Sequence, residues 1–216
     1  MKTKLMILSI TLVSLAVWTM QAMGQEDPYT NAMKSAIEMM EQAFEPGELA
    51  ESANRFERIA TAEKNRWMPY YYASYSLISM SYDESDGGQR DLILDRAQNL
   101  LDQAFELEPK ESELHVLQSF LYPSRIIVDP MGRGMTYIDL IFGSLDKAKS
   151  LNPENPRSYF LEGVNKLNLP PSFGGGADVA KPILEEALVK FEAFTNPDLL
   201  WPSWGEDATR AELEKL

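Results

Sequence analysis

The chain has 216 residues, with 33 Asp and Glu against 20 Lys and Arg, a formal net charge of −13, one histidine and no cysteine. Disulfides and cysteine-ligated metal sites are excluded by this composition, and a lone His115 does not make a histidine-based metal site, so we expect no cofactor. So acidic a chain repels phosphate backbones, and we expect no nucleic-acid partner.

The first residues predict a segment that is removed on export. Two lysines lie within Met1–Lys4, an apolar run follows over Leu5–Trp18, and Ala22-Met23-Gly24 has the small-x-small pattern of a cleavage site. These features are typical of a secretory signal peptide at 1–24. We therefore expect a single domain over 25–216 and no membrane span after cleavage. The expected location is the periplasm, with secretion as the alternative.

Apolar residues then recur at helical spacing along the chain and predict eight helices in four pairs. Glu45-Pro46-Gly47 is the break within the first pair. The predicted helices are Pro28–Phe44, Gly47–Lys64, one from Arg66 to the turn at Asp83–Gly88, one from there to Leu107, one after Pro109, Thr136–Leu151, Asn155–Leu167 and Ala177–Phe194.

Three segments depart from this helical pattern. Pro123–Met135 is predicted as a long irregular insert between two helices. Pro170–Gly176 is predicted as a second irregular insert, and its glycines lack the following Lys-Ser or Lys-Thr pair of a phosphate-binding loop. The tail 195–216 contains Trp201 and Trp204, and we expect it to fold back and cap the last helix pair.

A spacing of small and large residues recurs in the second helix of several pairs. Ala97, Leu101 and Ala104 form one copy, in which small residues let two helices approach closely. The other copies are Ile141, Leu145 and Ala148, and Ala180, Leu184 and Ala187. This spacing resembles the tetratricopeptide-repeat superfamily. The segments WMPYYYASY, VDPMGRG, LNPENPRSYFLEG, PPSFGGG and PSWGED are similar to secreted repeat proteins of Bacteroidetes-type bacteria.

The resemblance implies an all-α, right-handed superhelix of about four helix pairs with a concave groove. It also implies binding of a protein or a ligand, and no established catalysis. In such a fold the first helix of each pair lines the groove, where tyrosine combines buried area with a polar tip and arginine holds anionic groups. We expect Arg133 to pair with Asp129 or to hold an anionic ligand. The candidate binding residues are Tyr71, Tyr75, Arg125, Asp129, Arg133, Tyr137, Arg157 and Tyr159.

The predicted function is that of an exported, non-enzymatic module that binds a protein or peptide in this groove. An alternative is a small-ligand-binding accessory of an envelope transport system, which predicts an enclosed cavity beneath the VDPMGRG segment, lined by convergent polar groups. A hydrolase is a further alternative and predicts a carboxyl group with a raised pKa inside a cleft. A structural subunit of an envelope assembly predicts a large apolar surface patch.

Overall fold

The computed structural model describes residues 27–43 and 45–216, so the predicted signal peptide and Phe44 lie outside the described residues. Every regular element in that part is helical, and none of its helices is both long and apolar enough to cross a membrane. The α-helices are α1 (Pro28–Glu41), α2 (Pro46–Ala62), α3 (Trp67–Asp83), α4 (Gly87–Leu107), α5 (Ser112–Val128), α6 (Pro130–Leu151), α7 (Pro156–Asn168), α8 (Ala177–Ala193) and α9 (Glu206–Glu214). The predicted all-α fold is confirmed.

Prolines and short polar side chains begin several of these helices. A proline in the first turn loses no backbone hydrogen bond, and its fixed φ angle suits a helix. Asp86 caps α4, since its Oδ1 accepts a hydrogen bond of 2.8 Å from the amide of Gln89. The helices that begin with proline start at Pro28, Pro46, Pro130 and Pro156.

The helices pack in successive pairs, and small residues lie where two helices approach. The Ser74 hydroxyl of α3 donates to the carbonyl of Ala97 in α4 at 2.9 Å. The Ser112 hydroxyl of α5 donates to the carbonyl of Ala148 in α6 at 3.0 Å. The three small-large-small sets predicted to form helix contacts are buried: Ala97, Leu101, Ala104, Ile141, Leu145, Ala148, Ala180, Leu184 and Ala187.

The first helices of the pairs also contact one another, α1 with α3, α3 with α5 and α5 with α7. They form one layer, whose surface away from their partner helices we call the inner face. The core has two clusters of buried apolar side chains, one spanning α1 to α5 and one spanning α5 to α8. Helix α5 contributes to both clusters, so it joins the two halves of the protein.

The prediction of an irregular insert over Pro123–Met135 is wrong, because this segment is almost entirely helical. Helix α5 continues through Pro123 to Val128, and α6 begins at Pro130. A proline inside a helix costs about 3 kcal/mol. Burial of the residues around it, with a 2.8 Å hydrogen bond between the Ser124 and Ser81 hydroxyls, offsets that cost.

The second insert is a short 3₁₀ turn, Pro171–Phe173, followed by glycines. Gly174 and Gly176 have φ angles of 74° and 99°, which side chains with a Cβ rarely adopt. Phe173 is 60% exposed, so most of its side chain lies in solvent. The insert therefore acts as a turn that leads from α7 into α8.

The segment that precedes α9 crosses the inner face instead of staying on the last helix pair. The carbonyl of Leu200 accepts a 2.8 Å hydrogen bond from the Tyr72 hydroxyl of α3. The Ser203 hydroxyl donates to Glu41 at the end of α1 at 3.1 Å. We call this segment, residues 198–205, the tail strap. It covers much of the surface on which a repeat protein would hold a peptide.

Candidate ligand-binding site

Two of the predicted binding residues, Arg125 and Arg133, join a charged cluster between α4, α5 and α6. Asp91 accepts hydrogen bonds from Arg125 Nη1 and from Arg133 Nη2, both at 2.8 Å. Arg125 Nη2 lies 2.5 Å from Asp95. The hydrogen bond from Arg133, with that from Arg125, lowers the pKa of Asp91 to about 2. Each guanidinium in the cluster thus already has a carboxylate partner.

The prediction of an ion pair between Asp129 and Arg133 is wrong. Asp129 caps α6, and its Oδ1 accepts a 2.9 Å hydrogen bond from the amide of Gly132. Arg133 turns to Asp91 because α6 begins at Pro130 and directs this side chain toward α4. A cavity of about 460 Å³ lies over the charged cluster and is also lined by Tyr137.

The prediction that Tyr71 and Arg157 face a groove is corrected by their burial at 0% and 1% exposure. Arg157 lies in the core beside Glu113, which is also 1% exposed, and its Nη2 approaches Glu113 Oε1 at 2.7 Å. The Tyr71 hydroxyl accepts a 2.9 Å hydrogen bond from Trp204 Nε1 of the tail strap. Neither side chain presents a surface to a ligand in this structure.

Tyr75 and Tyr159 are half-buried and lie apart from the charged cluster. Tyr75 packs against Trp204 of the tail strap, with ring centroids 5.4 Å apart, and lines an inner-face cavity of about 440 Å³. Lys149 and Lys190 lie over the Tyr159 ring, 4.1 and 4.6 Å from its centroid. The eight predicted residues therefore do not converge on a single site.

A largely apolar cavity lies at the carboxyl ends of α3, α5 and α7, and we call it the apolar pocket. Its volume is about 410 Å³, within the range of about 300–1,000 Å³ typical of small-molecule sites. One wall is the middle of α6. None of its lining residues is charged: Tyr82, Pro123, Ile126, Ile127, Ile138, Ile141, Phe142, Asn165, Asn168 and Leu169.

The polar atoms of the apolar pocket are held by the protein itself. The Tyr82 hydroxyl donates to the carbonyl of Phe120 at 2.9 Å, and burial raises its pKa, so it stays protonated. The amides of Asn165 and Asn168 donate to carbonyls one turn earlier in α7, at 2.7 and 2.9 Å. The pocket consequently offers apolar walls with a few fixed, neutral polar groups.

Sequence reasoning missed most of this pocket, although one signal for it exists. Met131, Met135, Ile138 and Phe142 follow one another at intervals of four, three and four, which puts them on one face of α6. We call this row the α6 stripe. Its first two members are 95% and 66% exposed, whereas the last two line the pocket. Because Pro123–Met135 was predicted to be irregular, Met131 and Met135 were not recognised as part of a helix face.

The solved structure of the HusA haemophore from Porphyromonas gingivalis is similar to this chain. The similarity covers 89% of this chain and 94% of the haemophore, with 33% sequence identity and a TM-score of 0.80. No protein-family model matches the chain, and no curated protein matches it. The source of the haemophore agrees with the resemblance to Bacteroidetes-type secreted proteins, whereas the tetratricopeptide-repeat assignment stays a prediction. At this identity over nearly the full length of both chains, the protein belongs to the family of the HusA haemophore.

Proposed function

We propose that the protein is an exported, non-enzymatic carrier that binds a haem-type tetrapyrrole in the apolar pocket. The observation that carries this proposal is the 33% identity to a haemophore over nearly all of both chains. The predicted signal peptide supports export. The pocket supports a small ligand, since its volume of about 410 Å³ and its largely apolar lining suit one. Residues of the VDPMGRG segment line the cavity over the charged cluster instead.

The lining of the pocket favours contact with the flat ring of a tetrapyrrole over coordination of its iron. His115, the single histidine of the chain, lies eleven residues before Ile126 on α5, about 16 Å away along the helix axis. Its ring packs on Phe105 with centroids 4.8 Å apart. Tyr82 is a neutral hydrogen-bond donor rather than a phenolate. We therefore expect metal-free porphyrin to bind about as well as haem.

The other predicted functions have less support. The tail strap covers the inner face on which a peptide was expected to bind. Burial raises the pKa of Glu111, as a hydrolase would require of its acid, but this carboxylate caps α5 and lines none of the cavities described above. A protein partner stays a prediction.

Titration of the full mature chain with haem and with metal-free protoporphyrin tests the proposal. Ile127→Asp introduces a carboxylate into the pocket lining at a position that is 47% exposed, where folding should tolerate it. We expect both ligands to bind at least tenfold more weakly, a loss of about 1.4 kcal/mol or more, because the apolar ring would desolvate that charge.

Leu92→Asp is the matched control, since Leu92 is 61% exposed on α4 and lies outside the pocket. It should bind both ligands as the wild type does. Equal affinities of the two variants would show that the apolar pocket is not the site, and absence of binding to the wild type would overturn the proposed function itself.

A further inference from the structure

A positive charge lies at one edge of the apolar pocket. Lys166 Nζ is 4.4 Å from the centroid of the Phe142 ring, which lines the pocket. Lys166 belongs to the same turn of α7 as Asn165, another lining residue. Over residues 27–43 and 45–216, no Asp or Glu forms an ion pair with it. The ammonium group is therefore available for an anionic group of a ligand.

The other cations near the pocket are already bound to the protein. Arg90 lies near Tyr82, but it is 8% exposed, and its guanidinium donates to the carbonyls of Ser81 and Glu84. Arg125 and Arg133 point to the opposite side of α5 and α6, where they hold Asp91. Within the described part of the chain, Lys166 is thus the cation at this pocket without a protein acceptor.

The α6 stripe leads away from Lys166 and is apolar throughout. Phe142, beside Lys166, is at one end, and Met131 lies eleven residues earlier, about 16 Å along the helix axis. Met131 and Met135 extend the apolar wall beyond the pocket into solvent. A ligand that spans the pocket meets a charge at the Phe142 end and thioether side chains at the Met131 end.

We infer that the apolar pocket selects tetrapyrroles whose carboxylates are confined to one edge, with that edge held by Lys166 and the apolar edge on the α6 stripe. This inference rests on the proposed function. A tetrapyrrole with carboxylates around the whole ring would bury several of them against uncharged side chains, which is costly without a partner. One whose carboxylates are esterified would lose the charge-assisted contact with Lys166.

The test is to titrate the mature protein with protoporphyrin IX, with its dimethyl ester and with uroporphyrin, whose carboxylates surround the ring. We expect the wild type to bind protoporphyrin about tenfold more tightly than the ester and at least a hundredfold more tightly than uroporphyrin. Lys166→Ala should lower affinity for protoporphyrin about tenfold and leave affinity for the ester unchanged. Lys166→Arg keeps the charge and should restore the preference.

Lys181→Ala is the control, because Lys181 is exposed on α8 and its loss lowers the net charge equally. It should keep the full preference for protoporphyrin. Equal binding of all three compounds by the wild type, or an equal loss for protoporphyrin and its ester in Lys166→Ala, would overturn the inference while leaving the proposed function intact. Failure of all three to bind would overturn both.

Discussion

At the scale of single residues, Asp91 shows how one carboxylate can link three helices. It lies on α4 and accepts hydrogen bonds from Arg125 of α5 and Arg133 of α6. Each contact is charge-assisted, and together they lower the pKa of Asp91 to about 2 from an ordinary 3.8. A clamp of this kind fixes the start of α6, which carries the α6 stripe.

This clamp should make stability depend on pH in a defined direction. Because the pKa of Asp91 is lower in the folded state, its contribution is complete above about pH 4 and is lost as the pH falls toward 2. We expect Asp91→Asn to cost about 1 kcal/mol of unfolding free energy at pH 7, after allowance for solvent screening, and almost nothing at pH 2. Urea unfolding at several pH values measures this difference.

Asp146→Asn is the control for that experiment, since Asp146 is exposed on α6 and outside the cluster. Its effect should be small at every pH. A cost of Asp91→Asn that stays constant from pH 7 to pH 2 would contradict the assignment of the clamp to the ionised carboxylate.

Residue type alone could not separate the binding candidates from the structural ones. Arg157 was predicted to hold a ligand because arginine suits anions, yet its partner is Glu113, 44 positions earlier in the chain. Removing one member of such a buried pair leaves an uncompensated charge, which typically costs about 3–5 kcal/mol. No local pattern in the sequence predicts a partner at that distance along the chain.

At the scale of helices, α7 and α8 approach closely because Gly163 has no side chain. A Cβ atom placed there would lie 2.6 Å from both Cγ and Cδ2 of Leu184, which is 0% exposed. Interiors this tightly packed do not accept an added methyl group without a shift of their neighbours. Leu184 belongs to one of the three small-large-small sets that the sequence predicted to form helix contacts.

Gly163→Ala should therefore destabilise the protein by about 1–3 kcal/mol, even though alanine favours helices more than glycine does. Gly143→Ala is a matched control within α6, where an added Cβ would have no atom within 4 Å. That control should stabilise the protein by about 0.5–1 kcal/mol. Thermal or urea unfolding of both variants measures the contrast, and effects of the same sign would disprove the close packing of α7 on α8.

The elements that sequence predicted poorly are those in which tertiary packing overrides a local signal. Pro123 favours a break, but α5 continues because Leu121 and Ser124 on either side of it are buried. The actual break is Asp129-Pro130, where an aspartate cap precedes a proline in the first turn. Small-residue spacing was the stronger signal, since it reports helix contacts directly.

At the scale of the whole molecule, the tail strap connects the last helix pair to the first. Its hydrogen bonds reach partners 128, 133 and 162 positions earlier in the chain. The sequence predicted that the tail would fold back, but the helices it crosses depend on the curvature of the whole stack, which no local pattern encodes. Contacts of this range join both ends of the stack of helix pairs.

Trp204 is the centre of this connection. Its indole nitrogen donates to Tyr71 of α3, and its ring packs against Tyr75 of the same helix and Phe120 of α5, with centroids 5.4 and 6.0 Å away. It also meets Phe160 of α7 edge-on, with centroids 6.4 Å apart. Phe160 belongs to the second core cluster, whereas Tyr71 belongs to the first.

Trp204→Ala should therefore destabilise the entire domain rather than release the tail alone. We expect a loss of about 2–4 kcal/mol in unfolding free energy, since a half-buried indole is removed and the buried Tyr71 hydroxyl loses its partner. Unfolding should remain a single transition at a lower urea concentration, with tyrosine fluorescence and circular dichroism coinciding. Leu199→Ala, at an 80% exposed position within the tail strap itself, should change stability by no more than about 0.5 kcal/mol. If Trp204→Ala instead behaved like this control, or if the two probes separated into two transitions, the tail strap would be a peripheral cover that does not hold the two core clusters together.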